Sequence, residues 1–207
     1  EDPARPTTLK LRFYHGPFQI LRVSQESRSA LRPGIERRCR QTILQHLPGC
    51  GAVFVEDYGK KLINPAMVET LLELRRRHPG LPVILDPKIG NHDVYRPRMC
   101  TLIKPNWVEA CQFVGADPES ADRLAVARAV AARYEADVLI TLGADGLFVF
   151  ERAPDRGFHI PTRPREAFDV AGAGDTTLAV AALALAAGGS LGESSLLANL
   201  AGGIVVE

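Results

Sequence analysis

Between residues 52 and 141 the sequence settles into a rhythm of short apolar runs, ending in polar residues, and segments whose apolar side chains recur at helical spacing. The apolar runs fall at 52–55, 82–85, 101–103 and 138–141. The helical segments fall at 65–77, 107–114 and 121–134, the first with Met67, Val68, Leu71, Leu72 and Leu74 on its buried side. Runs this short and continuously apolar are strands covered on both faces, and helical crossovers between them make the sheet parallel. The expected fold is therefore α/β, a mainly parallel, doubly wound sheet flanked by helices.

The flanks add detail. Residues 9–14 and 19–23 alternate in polarity across His15-Gly16-Pro17, which predicts a β-hairpin. Residues 24–32 read as loop, and Pro33-Gly34 then opens an amphipathic helix over 35–47 that Pro48-Gly49 closes. After the parallel portion, 147–150, 158–160 and 167–170 read as turn-linked antiparallel strands. Asp145-Gly146 is a type I′ hairpin signal, so residues 141–146 read either as a tight turn or as a glycine loop that lets a nucleotide lie against the backbone.

Composition excludes several classes of function. With 207 residues, 46% of them hydrophobic and 24% charged, the chain has the balance of a soluble globular domain. A formal charge of +1, with arginines spread rather than striped, gives no basic face for nucleic acid. Cys39, Cys50, Cys100 and Cys111 lack metal-ligand spacing and read as reduced thiols. The start has neither a basic segment nor an apolar one of signal-peptide type, and no apolar run reaches membrane-spanning length, so a cytoplasmic protein with no membrane partner is expected. Because the pattern at 198–207 runs on without a stop signal, a single partial domain, cut at both ends, is expected over 1–207.

The chemistry points to residues 169–176, where Gly172-Ala173-Gly174-Asp175-Thr176 precedes an apolar, Ala-rich helical run at 177–187. Glycines before a helix let the amides of Ala173, Gly174 and Asp175 converge on a phosphate at the positive end of the helix dipole. Asp175, ionised there, can accept a proton from a hydroxyl beside the anion, which is what phosphoryl transfer to an alcohol requires. The plain alternative is a loop with Asp175 as a capping residue.

Position argues for the site. In open α/β sheets ligands bind outside the carboxyl ends of the strands, and the polar residues of this chain gather there. Asp57 and Lys60 follow the first strand, Asp86 and Lys88 the second, Asn106 and Glu109 the third, Thr141 and Gly143 the fourth. Each also has a structural use: Asn106 with Glu109 has the spacing of a capping box, and Asp57 with Lys60, or Asp86 with Lys88, could be surface pairs. The five histidines are isolated, and Trp107 is expected to pack.

In this order and at these separations, Asn106-x-x-Glu109, Thr141-x-Gly143-x-x-Gly146 and Asp169-x-x-Gly172-Ala173-Gly174-Asp175-Thr176 resemble the ribokinase-like, or PfkB, family of carbohydrate kinases. Within it the chain looks most like the heptose 7-phosphate kinases of bacterial ADP-heptose synthesis, often the first domain of a bifunctional kinase and adenylyltransferase. Thr8-Leu9-Lys10-Leu11-Arg12, Gln19-Ile20-Leu21-Arg22, Asp57-Tyr58-Gly59-Lys60, Asp86-Pro87-Lys88, Tyr95-Arg96 and Pro105-Asn106 carry that likeness. The resemblance implies a ribokinase-like fold lacking its N-terminal sugar-binding and lid portion. It implies ATP and Mg2+ as cofactors, Asp175 as catalytic base and Gly172, Ala173 and Gly174 as the anion hole. Asn106, Trp107, Val108, Glu109, Thr141, Gly143 and Asn199 would line the ATP site, with Glu109 near Mg2+ through water. Asp57, Lys60, Asp86, Lys88 and Arg22 would face the sugar phosphate.

The implied reaction is transfer of the γ-phosphoryl group of ATP to the anomeric hydroxyl of D-glycero-β-D-manno-heptose 7-phosphate, and the implied assembly a homodimer through the lid. The alternatives are a kinase for another sugar or nucleoside, and a remnant that binds nucleotide without turnover. A dinucleotide-binding oxidoreductase fits poorly, because Thr177 stands at the third glycine position and the motif ends the sheet instead of following its first strand. Three residues depart from the family pattern: Lys104 where Thr is usual, Ile89 where Gly is usual and Ser24 where an acid is usual.

Overall fold

The computed structural model describes residues 2, 5–16, 18–162 and 172–205. Two sheets result. Strands β1 (Leu9–His15) and β2 (Phe18–Gln25) form an antiparallel hairpin of their own, while β3 (Val53–Glu56), β4 (Val83–Asp86), β5 (Leu102–Ile103), β6 (Asp137–Thr141), β7 (Leu147–Glu151) and β8 (Arg156–Ile160) follow one another across a six-stranded sheet. Strands β3 to β6 are parallel, and β6 to β8 antiparallel, so the expected doubly wound, mainly parallel architecture is what forms.

Helices cover both faces. Helices α1 (Pro33–His46), α2 (Pro65–Arg77), α3 (Trp107–Val114) and α4 (Arg123–Tyr134) lie on one side, and α5 (Ala173–Ala186) and α6 (Leu191–Val205) on the other. Period-two alternation divides each strand between the two cores: Val83 and Leu85 of β4 face the first while Ile84 faces the second, as Val138 and Ile140 of β6 oppose Leu139. Local chemistry fixes the helix starts. Asn64 accepts from the Met67 amide at 2.9 Å with Pro65 next in the chain, and Asp122 accepts from the Ala125 amide at 2.7 Å. Gly115, at φ 70°, ends α3 in the left-handed conformation.

Helix α5 begins at Ala173, with Gly172 at φ 86° as its N-cap and Asp175 in the first turn as expected, but one expectation changes. The Asp145-Gly146 connection is a 3-10 turn (Gly143–Asp145), not a type I′ hairpin: Gly146 sits at φ 90°, ψ −131°, held against the backbone of Ile160 to Thr162. The hairpin expected at 9–23 forms a two-stranded sheet of its own, with Leu11, Phe13, Phe18 and Ile20 all exposed. The strand expected at 167–170, with Asp169, lies outside the described residues.

Candidate active site

Sheet register builds the rim. Glu56, the last residue of β3, pairs with Asp86, the last of β4, and Leu85 pairs with Ile103, so Lys104 emerges beside Asp86 one step further along. Asn106 and Thr141 form an isolated parallel bridge next to it, with the Thr141 amide on the Pro105 carbonyl at 3.0 Å. Four strand ends thus place Glu56, Asp86, Lys104, Asn106 and Thr141 side by side. The start of α5 meets them from the other face. Carboxylate oxygens of Glu56, Asp86 and Asp175 lie within 4.8 Å of one another.

At that helix start the first intrahelical bond runs from the Thr176 amide to the Gly172 carbonyl at 2.8 Å. The amides of Ala173, Gly174 and Asp175 precede it and have no partner within the helix, which is the donor set of an anion cradle. Asp175 is exposed in the first turn.

Crowded acids shape the electrostatics. Burial raises the Glu56 pKa, Asp175 and Asp86 raise it further, and the Tyr58 hydroxyl, donating to Glu56 Oε1 at 2.5 Å, opposes the rise. The same bond, with burial, raises the Tyr58 pKa. Burial also raises Asp86, against the pull of the Lys104 ammonium at 2.8 Å. Glu109 is raised by burial, lowered by the Asn106 amide and raised again by Asp86. Carboxylates crowded at a strand-end rim raise one another's pKa, and a cation beside them lowers it again.

Glu109 and Asn106 form the expected capping box: the Glu109 amide donates to Asn106 Oδ1 at 2.9 Å and the Asn106 amide to Glu109 Oε2 at 3.1 Å. The Asn106 side chain is otherwise exposed, Val108 is exposed, and Trp107 packs against the first core with its indole donating to the Pro118 carbonyl at 3.0 Å. Thr141 lies beside Asn106, and Gly143, at φ 61°, is exposed in the turn that follows. Asn199 is buried further off, its amide held between Thr162 Oγ1 at 2.9 Å and the Pro161 carbonyl at 3.1 Å.

The residues expected to face the sugar divide. Asp86 belongs to the rim, and exposed Lys88 is near enough to act on both Asp86 and Glu109. Asp57 is buried and its oxygens accept from the Gly59 amide at 2.7 Å, the Asn91 amide group at 2.5 Å and the Tyr95 hydroxyl at 2.6 Å. It holds the loop after β3 and does not pair with Lys60. Lys60 instead reaches Thr8 Oγ1 at 2.8 Å and Glu26 at 3.4 Å, closing a cleft of about 460 Å³ that Glu56, Asp57, Tyr58 and Arg5 also line. Arg22 stands in the hairpin opposite Arg12, and no contact among the described residues ties it to the rim. The sequence noted Lys104 only as a departure and missed Glu56; the register that sets both beside Asp86 is the signal that finds them.

A strand-end rim with a glycine-capped helix and an acid in its first turn defines a phosphate-handling α/β protein of the carbohydrate-kinase type. The chain belongs to the pfkB family of carbohydrate kinases, whose pattern it matches over residues 41–207. It is 41% identical over 209 residues to the bifunctional protein HldE of Caulobacter vibrioides, covering 99% of this chain and 42% of that one. To the protein of the same name from Granulibacter bethesdensis it is 37% identical over 214 residues, covering 100% and 44%. The chain therefore spans less than half the length of these curated relatives. Among solved structures, ribokinase from Giardia lamblia superposes with a TM-score of 0.73 at 16% identity, covering 98% of this chain and 66% of that one. Phosphofructokinase-2 from Escherichia coli in complex with substrates and products gives 0.72 at 18%, covering 96% and 64%. These two support the ribokinase-like fold.

Proposed function

We propose that this chain is the nucleotide-binding and phosphoryl-transfer portion of an ATP-dependent sugar kinase acting on the anomeric hydroxyl of D-glycero-β-D-manno-heptose 7-phosphate. The observation that carries the proposal is the start of α5, where three amides unused by the helix and the Asp175 carboxylate occupy one turn. A γ-phosphoryl group held by those amides lies next to the only group on that turn able to take a proton. Asp175 removes the hydroxyl proton, the freed oxygen bonds to the γ-phosphorus, and the bond from phosphorus to the β-phosphate oxygen breaks, leaving ADP. The amides stabilise charge on the transferring oxygens.

Asn106, Val108, Thr141 and Gly143 form the nucleotide side of the proposal, with Trp107 as a packing support and Asn199 behind them. Mg2+ fits Glu109, a hard oxygen donor of which one oxygen accepts the Asn106 amide, with the Asp86 carboxylate near enough to act on it. When bound, the ion neutralises phosphate charge, and Glu109 would hold it through water. The heptose assignment rests on the relatives named bifunctional protein HldE. The same likeness extends the proposal to an adenylyltransferase partner domain, and the exposed apolar hairpin suits a homodimer contact. No helix among the described residues is long and apolar enough to cross a membrane, in keeping with a cytoplasmic kinase.

The test is ADP release by the full-length gene product with Mg-ATP and heptose 7-phosphate, fructose 6-phosphate, ribose or a nucleoside, beside Asp175→Asn. Turnover on the heptose alone, reduced at least about 100-fold in the variant, supports both substrate and base. Turnover on another acceptor keeps the mechanism and removes the heptose. Nucleotide binding without turnover on any acceptor overturns the kinase proposal.

A further inference from the structure

At the amino ends of the parallel strands, the edge opposite the rim, lies a cleft of about 450 Å³ lined by Arg75, Arg76, Arg98 and Arg152, with Glu135 among them. Separate connections bring these side chains together. Arg75 and Arg76 stand in the last turn of α2, Arg98 precedes β5, Glu135 follows α4, and Arg152 follows β7, whose antiparallel run returns the chain to that edge. Arginines in a last helical turn suit the negative end of the dipole, which accounts for the two on α2. It does not account for Arg98 and Arg152, which arrive from turns beside other strands.

Their bonding within the chain is incomplete. Arg75 Nη1 donates to the Pro79 carbonyl at 3.1 Å, but its Nε is buried with no hydrogen-bond partner among the described residues. A buried donor is normally paired, so the missing acceptor is one that the described residues do not supply. The Arg152 guanidinium has no ion pair or hydrogen bond among the described residues; its backbone amide donates to the Asp137 carboxylate at 2.8 Å. Arg98 is paired with Glu135 at 2.6 Å, and Arg76 with Glu73, which also binds Arg77. Even with Arg77, Glu73 and Asp137 counted, five guanidinium groups meet three carboxylates, a local positive excess in a chain whose formal charge is +1. Arg98 and Glu135 also hold positive φ, 67° and 50°, which glycine adopts at less cost, so both positions keep a charged side chain against the preference of the backbone.

The lining names the chemistry. Every cation in it is arginine and none is lysine, and the planar guanidinium fork matches phosphate oxygens in two-point contacts. The volume is that of a small-molecule site, and Leu72 and Pro97 add apolar lining for an organic part. We propose that this cleft is a second anion site, binding a small molecule through a phosphoryl or pyrophosphoryl group held by Arg75, Arg98 and Arg152. Its occupant and a ligand at the candidate active site sit at opposite ends of the strands and do not compete. No bond is made or broken there, and the proposal does not depend on the kinase assignment.

The experiment maps arginine reactivity on the full-length gene product, modified with phenylglyoxal and read by peptide mass spectrometry, with inorganic pyrophosphate as the probe. Arg98 and Arg152 report on the cleft, and exposed Arg37 and Arg38 of α1 are the controls. With a Kd of about 1 mM, pyrophosphate at about 5 mM should slow modification of Arg98 and Arg152 about sixfold and leave Arg37 and Arg38 unchanged. The protection should persist when the non-hydrolysable β,γ-imido analogue of ATP saturates the active site, and Arg75→Gln/Arg152→Gln should abolish it at Arg98. No slowing, equal slowing by sodium chloride at the same ionic strength, equal slowing at the control arginines, or protection that the analogue removes would each overturn the site. The mapping on the unaltered protein decides the matter should the double variant not fold.

Discussion

Replacing Gly146 by alanine tests how the nucleotide side of the rim is held. Gly146 lies at φ 90°, ψ −131°, and a Cβ there would meet Ile160 O at 2.2 Å, the Thr162 amide nitrogen at 2.6 Å and Pro161 C at 3.0 Å. All three are backbone atoms, so no rotamer change relieves the contact; the end of β8 must move by about 1 Å or more to restore ordinary separation. Placing a non-glycine residue in this region costs about 1–3 kcal/mol, and the overpacking a further 1–3, together about 4 kcal/mol. Gly143, three residues earlier in the same turn, is the internal control. It too has positive φ, 61°, but nothing lies within 4 Å of its added Cβ, so Gly143→Ala should cost only about 1 kcal/mol. In urea, with a slope of about 2 kcal/mol per molar, the midpoint should fall about 2 M for Gly146→Ala and about 0.5 M for Gly143→Ala. The turn carries Thr141 and Gly143, so Gly146→Ala should also weaken ATP-analogue binding. A midpoint shift for Gly146→Ala no larger than that for Gly143→Ala would refute the steric argument.

Asp57→Ala should lower stability by about 3 kcal/mol in urea titration, because it removes the acceptor of three donors, the Tyr95 hydroxyl, the Gly59 amide and the Asn91 amide group, the last keeping only the Ile63 carbonyl; a loss under about 1 kcal/mol would remove Asp57 as the anchor of its loop. Glu109→Gln keeps an oxygen for the Asn106 amide, so its thermal midpoint should stay within about 2 °C. The Mg2+ concentration for half-maximal turnover should nevertheless rise about tenfold, and an unchanged requirement would leave Glu109 as a cap alone. Asp137 has a pKa raised chiefly by burial, against the Arg152 amide donating to it at 2.8 Å. A raised carboxylate pKa means that the folded state binds the proton more tightly, so its contribution is full below the ordinary carboxylate value and is lost as pH rises through the raised one. Asp137→Asn should therefore stabilise the chain near neutral pH, by less than about 1 kcal/mol after solvent screening, and the gain should vanish in acid; an equal gain at both pH values would refute the assignment.

Capping chemistry made the helices legible. Asn64-Pro65, Asn106 with Glu109, and Asp122 announce α2, α3 and α4 because each signal is satisfied within one turn of chain. Where a distant segment decides, local signals mislead. Asp145-Gly146 reads as a tight hairpin, but the backbone of residues 160–162, brought up by β8, sets the glycine's conformation. The glycine turn before α5 was legible as a helix start, with Asp175 in its first turn, whereas its packing was not: Gly202 of α6 comes so close that a Cβ on it would lie 2.6 Å from Thr177 Oγ1.

The same distinction divides the site. Residue types at strand ends were legible because a parallel sheet exposes its carboxyl edge wherever the apolar runs stop. Which of them touch was not, since that depends on register between strands joined by long crossovers. Asp57 seemed a partner for Lys60 nearby in sequence, but its acceptors are filled by Asn91 and Tyr95, 34 and 38 positions away. Asp86 seemed a partner for Lys88, two residues on; the Leu85 to Ile103 pairing gives it Lys104 instead. Lys88 and Lys60 lie beyond the ends of their strands, where the chain has left the extended path, whereas the next strand of a parallel sheet lies about 4.8 Å off with its side chains in step. In this fold the candidate rim is therefore assembled across strands, and the pairing that defines it joins residues one strand apart.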